Sequence, residues 1–302
     1  MEHPALEKMT ALAREPDSIE ASIAYLSDKL SFLRKNEKVL IYFAKDKPGS
    51  HGELLEKAVL RCGAVPIMAG SDWRWKTLLR QAFANKATTI IAPPLIVLGI
   101  AKLAKYNGTP LYIRNVVTAS YPCLDWMIDG IIKGLDCNTW GCFGPRGDAV
   151  IAGFSCGKSR GVHLRDDAYG VDIVDASGKV LPDGELGEMI LYPKADPAIR
   201  FPVGEQARIE RSKCACGCES VRLMDMQPGY ITDPALDALA VHLLSWTSVL
   251  DCRLKKSDYG LEVEVVIFPG EKLPQLPTAA KLVIRPWESE KDEPFFFVPG
   301  MW

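Results

Sequence analysis

Two short stretches of this sequence group soft metal-binding side chains at close spacing. "KCACGCES", from Lys213 to Ser220, places cysteines at 214, 216 and 218, and "SCGKSRGVH" upstream adds Cys156 and His163. Three thiolates and one imidazole are a ligand set of a closed tetrahedral zinc site, in which every coordination position is a protein atom. Cys156, His163, Cys214 and Cys216 form one such Cys3His set, and Cys218 competes with Cys216, because CxC and CxxxC geometries are both conceivable. An ion held this way would brace a thin β layer that has little core of its own. The plainer reading is that these are ordinary reduced thiols, since cysteine is common in protein cores. Thiol–disulfide exchange is disfavoured, because the usual CxxC spacing is absent.

Elements must bring these residues together, and the hydropathy pattern supplies them. Residues 1 to about 38 read as helix, with Ile19, Ile23, Leu26, Leu30 and Leu33 on one face. Over 39–149 short apolar runs alternate with helical stretches: "VLIYF", "AVPIM", "TTIIAPP", "LYIRNVVTA" and "CNTWGCFG" are separated by helices near 51–61, 72–84, up to 103 and 122–133. Strands with no wet face, alternating with helices, predict a parallel sheet covered by helices. Gly63 and Gly134 sit where such helices should stop. Over 150–223 the texture turns to β: two strand-like runs flank Ser177-Gly178 and a Pro182-Asp183-Gly184 turn, so a hairpin-rich second layer is expected. Residues 224–302 read as a small C-terminal α+β domain, with a helix capped at Asp233-Pro234 and strands at "TSVLDCRLKK" and "GLEVEVVIF", followed by an aromatic tail that docks on the body.

Composition excludes several classes. With 36 basic and 38 acidic residues the net charge is -2, and no basic run stands ready to neutralise phosphates, so nucleic acid is a poor partner. The N-terminus is charged throughout and no run of about 18 uncharged apolar residues occurs, so neither a secretory signal nor a membrane span is expected and the chain reads as cytoplasmic. Nine cysteines, an odd number, fit thiols or metal ligands better than a disulfide framework. His3, His51 and His242 have no visible nucleophile beside them, so no Ser-His-Asp set is read.

The segment "GFSCGKSRGVHLRDDAYGVDIVDASGKVLPDGELGEMIL" followed by "KCACG" resembles the phenylacetate–CoA ligase branch of the adenylate-forming acyl-CoA ligase superfamily. Gly178, Leu181, Pro182, Gly184, Glu185, Gly187 and Glu188 fill that branch's turn-strand signature in order, and the likeness runs from about 39 to 223. The resemblance implies zinc on Cys156, His163, Cys214 and Cys216, and AMP or CoA as small-molecule ligands. Residues 230–285 match the family's small lid domain in element order. Phe143 and Gly144, in "CFGPRGDA", correspond to the aromatic seat for adenine and its turn, and Glu205, in "RFPVGEQ", to the ribose-binding carboxylate.

Measured against the same family, several charge-stabilising parts are missing. The phosphate loop is expected ahead of Val39, where a charged helix stands, and "KPGSHGE" reads instead as a helix start with Ser50 as cap. The hydroxyl and magnesium-binding glutamate become Arg146 and Gly147, Tyr121 replaces an acid, the hinge shortens to "MDMQPGY", and the late lysine falls at Thr278-Ala279. Asp148 and Lys281 are the nearest substitutes. The expectation is an N-terminally truncated, degenerate relative with no assigned catalytic residue, a pseudoenzyme acting as a nucleotide- or acyl-CoA-binding subunit with a protein partner or as a homo-oligomer. The competing expectation is a divergent active ligase with relocated groups, or one completed by another chain. A third is a structural or redox partner in which the cysteines matter more than the pocket.

Overall fold

The computed structural model describes residues 3–70, 75–119, 123–144, 150–158, 160–228, 234–257, 260–273, 275–276 and 281–287. The chain opens with two helices where the sequence pattern suggested one: α1 (Pro4–Ala13) and α2 (Pro16–Lys29). Proline lacks the N–H that a helix interior needs but is preset for its first turn, so Pro16 ends one helix and starts the next. The expected face of α2 is buried at Ile23 and Leu26 and continues through Leu30 and Leu33. Helix α1 buries Met9 and Ala13 in a different cluster, among strands that lie much later in the chain.

The alternation then follows as expected. β1 (Lys38–Ile41), β2 (Val65–Met68), β3 (Thr89–Ala92), β4 (Asn115–Ala119) and β5 (Asn138–Phe143) pair in parallel in the order β2-β1-β3-β4-β5. Between them run α3 (His51–Arg61), α4 (Trp75–Ala84), α5 (Pro94–Asn107) and α6 (Asp125–Leu135). Ser50 does cap α3: its buried hydroxyl accepts from Glu53 N–H, while the Glu53 carboxylate reaches back to Gly49 N–H at 2.6 Å. Gly63 follows the end of α3, but Gly134 lies inside α6, where a Cβ would come within 2.8 Å of Ala101 on α5. Close helix packing, not termination, explains that glycine.

One buried carboxylate ties the amino ends of three strands. Glu37 accepts from Arg34 N–H (2.8 Å) and from the hydroxyls of Thr88 and Thr89 (both 2.9 Å), and Asn115 lies 3.3 Å away. Burial alone would raise its pKa, but these donors and the Arg114 guanidinium outweigh it and hold the carboxyl below the ordinary glutamate range. Glu37 therefore stabilises the fold above the unfolded glutamate pKa, and that contribution is lost as pH falls through the lowered folded value. Glu37→Gln is expected to lower unfolding free energy by about 2 kcal/mol at neutral pH. The deficit should shrink in acid, as read from urea unfolding at several pH values.

The hairpin-rich region does not form a separate sheet. β6 (Gly153–Phe154) pairs antiparallel with β5, β7 (Val162–Leu164) with β6, and β11 (Arg222–Pro228) with β7. β10 (Phe201–Glu210), β9 (Gly187–Pro193) and β8 (Tyr169–Val174) complete an 11-stranded sheet ending β11-β10-β9-β8. The joint between its halves is narrow: β5–β6, β6–β7 and β7–β11 each share only two residue pairs in register. The expected hinge is strand: Met224 to Pro228 lie in β11, with a bulge where Asp225 adopts φ of 50°. Tyr230 and Gly229 lie outside the described residues.

The C-terminal unit is α7 (Pro234–Ser245) against a three-stranded sheet, β12 (Val249–Ser257), β13 (Gly260–Ile267) and β14 (Lys281–Pro286). Leu250, Val266 and Phe268 from this unit join the core formed by α4, α5 and α6. Lys102, inside the otherwise apolar α5, is buried in that junction and donates to the carbonyls of Leu244 (2.5 Å) and Val249 (2.7 Å). The docking is thus specific as well as apolar. Among the described residues no helix is long and apolar enough to cross a membrane.

Candidate functional site

The two cysteine-bearing stretches come from neighbouring strands. Cys156 lies in the connection between β6 and β7, and His163 is the middle residue of β7, paired with Arg222 of β11. Cys214 and Cys216 lie in the turn between β10 and β11, which folds on itself through Gly217 N–H to Cys214 O (2.8 Å) and Cys214 N–H to Cys218 O (3.1 Å). Gly217 sits at φ of 89° with open space around it, so its backbone conformation, not crowding, calls for glycine after the second cysteine.

One ligand atom from each of Cys156, His163, Cys214 and Cys216 falls within 4.8 Å of all the others. Cys156 Sγ and Cys214 Sγ are 3.7 Å apart, and Cys216 Sγ is 3.5 Å from His163 Nε2. A tetrahedral zinc with Zn–S of about 2.3 Å and Zn–N of about 2.0–2.1 Å has edges of about 3.8 Å between sulfurs and about 3.6 Å between sulfur and nitrogen. The donor set and its spacing fit zinc. His163 and Cys214 are buried and Cys216 is exposed, so the cluster closes one side of the sheet joint and faces solvent on the other. Cys218 is outside the cluster: its backbone N–H lies 3.4 Å from Cys216 Sγ, and its own sulfur lies 2.8 Å from Ser220 Oγ. No two of the nine cysteines are joined in a disulfide. Burial pushes the Cys142 thiol up to about 12, which removes it as a nucleophile at neutral pH.

A cavity of about 660 Å³ opens beside the cluster, at the carboxyl ends of β4 and β5. Its floor includes Thr118 and Phe143, one wall is the start of α6, and the opposite wall is the β6–β7 connection with Ser155, Lys158 and Arg160. Ser155 Oγ accepts from Gly141 N–H at 2.7 Å, and Arg160 reaches Asp125 on α6 at 3.2 Å across the exposed mouth. Trp140 in the wall is stacked on Phe32, with ring centroids 4.0 Å apart, which ties the N-terminal segment to the cavity.

Of the residues expected at a nucleotide site, Phe143 lines this cavity at the end of β5. Gly144 follows it, where a Cβ would lie 2.1 Å from Val150 O, so only glycine fits. Glu205 is not brought to them. It is buried on the face of β10 shared with Phe201, Val203 and Ala207 and is not among the residues lining the cavity, because strand alternation turns it away from Gln206 and its partner Gln227, which does line it. Lys281 is a surface residue whose ammonium donates to Glu262 at 2.8 Å. Tyr121, Arg146, Gly147, Asp148, Thr278 and Ala279 lie outside the described residues. The sequence reading missed Lys158, Arg160 and Gln227 as cavity residues and Ser220 beside the cysteines. The first three lie on connections or at strand ends with no residue-type signature, whereas Ser220 stands in the same octapeptide as the thiols.

The fold is that of the adenylate-forming ligases. A 2-hydroxyisobutyryl-CoA ligase, solved in a postadenylation state with 2-HIB-AMP, superposes with a TM-score of 0.69 at 12% identity, over 90% of this chain and 66% of that one. A benzoate CoA ligase from Burkholderia xenovorans LB400 gives 0.55 at 11% identity, over 88% and 62%. The amide bond synthetase McbA from Marinactinospora thermotolerans gives 0.52 at 15% identity, over 84% and 57%. The chain thus spans less than two thirds of the length of these structures. No family model and no curated protein matches the sequence.

Proposed function

We propose that this chain is a zinc-braced, non-catalytic member of the adenylate-forming fold, of the phenylacetate–CoA ligase type, that binds an adenine nucleotide or acyl-CoA. The observation that carries the reading is the cavity over Phe143, at the carboxyl ends of parallel strands where open α/β sheets bind their ligands. The similar solved 2-hydroxyisobutyryl-CoA ligase holds 2-HIB-AMP and, in two of its structures, CoA as well. Adenine would lie against Phe143, and the sugar would face Gln227 rather than Glu205. Zinc, held by Cys156, His163, Cys214 and Cys216, would supply structure and no chemistry, since all its positions are taken by protein atoms.

The loss of catalysis is inferred from residue types. The position of the magnesium-binding glutamate is Gly147 and that of the late lysine is Thr278-Ala279. Oxyanion and phosphate stabilisers each contribute about two to three orders of magnitude in rate. Calorimetry is expected to show AMP binding that magnesium-ATP does not exceed by about tenfold, about 1.4 kcal/mol. ATP–pyrophosphate exchange with a panel of carboxylic acids should stay at background. Brisk exchange would replace this reading with a divergent active ligase and turn attention to Asp148 and Lys281. The preparation should also reveal whether a protein partner or a second copy accompanies the chain.

A further inference from the structure

The histidine of the cluster carries its own alignment device. His163 approaches Cys216 through Nε2, and its other ring nitrogen, Nδ1, lies 3.3 Å from Ser220 Oγ. That hydroxyl in turn lies 2.8 Å from Cys218 Sγ. A neutral imidazole has one N–H, so an Nε2 that gives its lone pair to a metal leaves the proton on Nδ1. The Nδ1–H then donates to Ser220 Oγ, and the serine's own proton is directed to the Cys218 sulfur. Ser220 and Cys218 are half-buried, so this chain of bonds is partly shielded from competing water.

We propose that Ser220, held by Cys218, is a positioning residue: it fixes His163 in the tautomer and ring orientation that present Nε2 to the ion. Cys218 is the far end of this relay and not a ligand, which settles the competition between Cys216 and Cys218 in favour of Cys216. The inference rests on the zinc reading above. It differs from a merely structural role, in which Ser220 would only help to shape the turn and would leave metal affinity unchanged in a folded chain.

Cobalt, a coloured stand-in for zinc, tests it on the full chain. The unaltered protein should bind one Co²⁺ with the charge-transfer intensity of three thiolates and the ligand-field bands of a tetrahedral site of three sulfurs and one nitrogen. Ser220→Ala should keep those bands but bind about 10–100-fold more weakly in competition with a chromophoric chelator. Ser220→Thr, which keeps the hydroxyl, should restore affinity. Cys218→Ser should keep the full three-thiolate intensity. Affinity of Ser220→Ala within about threefold of the unaltered chain would overturn the proposal. So would a loss of about a third of the charge-transfer intensity in Cys218→Ser, the share of one thiolate in three. If Ser220→Ala fails to fold, the Cys218→Ser intensity and the Ser220→Thr affinity still decide. An unaltered chain that binds neither cobalt nor zinc removes the zinc reading and this proposal together. Normal binding with an indifferent Ser220 removes the proposal alone.

Discussion

Chelation of the metal, or Cys214→Ser, is expected to unfold the region from about 150 to 222 at temperatures where the parallel half of the sheet persists. The two halves meet through β6 and β7, and each ladder there has only two residue pairs. Few backbone hydrogen bonds oppose separation. Zinc bound to a closed Cys3His set contributes on the order of 10–16 kcal/mol of apparent binding free energy in small domains, comparable with the whole stability of a domain at about 5–15 kcal/mol. Removing buried Cys214 deletes a ligand whose sulfur faces that of Cys156 at 3.7 Å. Elemental analysis of protein purified without chelator should find one zinc per chain. Hydrogen exchange should then show β7, β10 and β11 losing protection in the Cys214→Ser variant while β1, β3 and β4 keep theirs. Absence of metal, or unchanged melting of the variant, would refute the expectation.

Lys102→Met should loosen the C-terminal unit from α5. The variant keeps much of the apolar stem but leaves the carbonyls of Leu244 and Val249 without the ammonium they accept from. Each carbonyl stranded in a dry junction costs about 1–3 kcal/mol, so a total of about 2–6 kcal/mol is at stake. The pH dependence gives a second readout. Burial disfavours the charged amine and holds its pKa down to about 8, although the negative charge of Asp251 pulls the other way. Below that value both folded and unfolded chains carry the proton, and the penalty for burying the charge is complete. Between about 8 and the ordinary lysine value the unfolded chain binds more protons, so stability rises with pH. Burial pushes the neighbouring Cys252 thiol up, which keeps it protonated through this window. The stability difference between the unaltered chain and Lys102→Met should therefore widen from pH 7.5 to about 9. A constant or narrowing difference in denaturant unfolding would contradict it.

The parallel half was legible because its central strands β1, β3 and β4 are buried on both faces and its helices carry start signals: Ser50, Pro94 and the apolar run at Ile90 each announce an element by residue type. The break at Pro16 was equally visible in principle, but the apolar stripe on both sides masked it. Pairing was not legible. Nothing in "GFSCG" says that Phe154 will lie beside Cys142 and thereby make one sheet of two textures, because ladder partners are chosen by tertiary packing. The candidate metal ligands stood out because Cys and His are uncommon and chemically particular. Glu205 stood out only through the likeness of "RFPVGEQ" to the family's ribose motif, and that likeness does not convey the alternation of β10, which buries it on the face of Phe201, Val203 and Ala207. Lys102 gave no sign at all, since a lysine within "LGIAKLAKYN" normally snorkels to solvent.

The connection between β6 and β7 does double duty, with Cys156 aimed at the cluster and Ser155, Lys158 and Arg160 forming a cavity wall. With zinc on the four side chains, a segment with two clients could not respond to one without informing the other. An occupant that steadies that wall would favour the placement of Cys156 that the ion needs, and an ion in place would narrow the range of wall shapes the occupant must select from. Linkage would make the two effects equal in binding free energy. The affinity of the cavity would then be a gauge of metal supply, and the affinity for the ion a gauge of what the cavity holds.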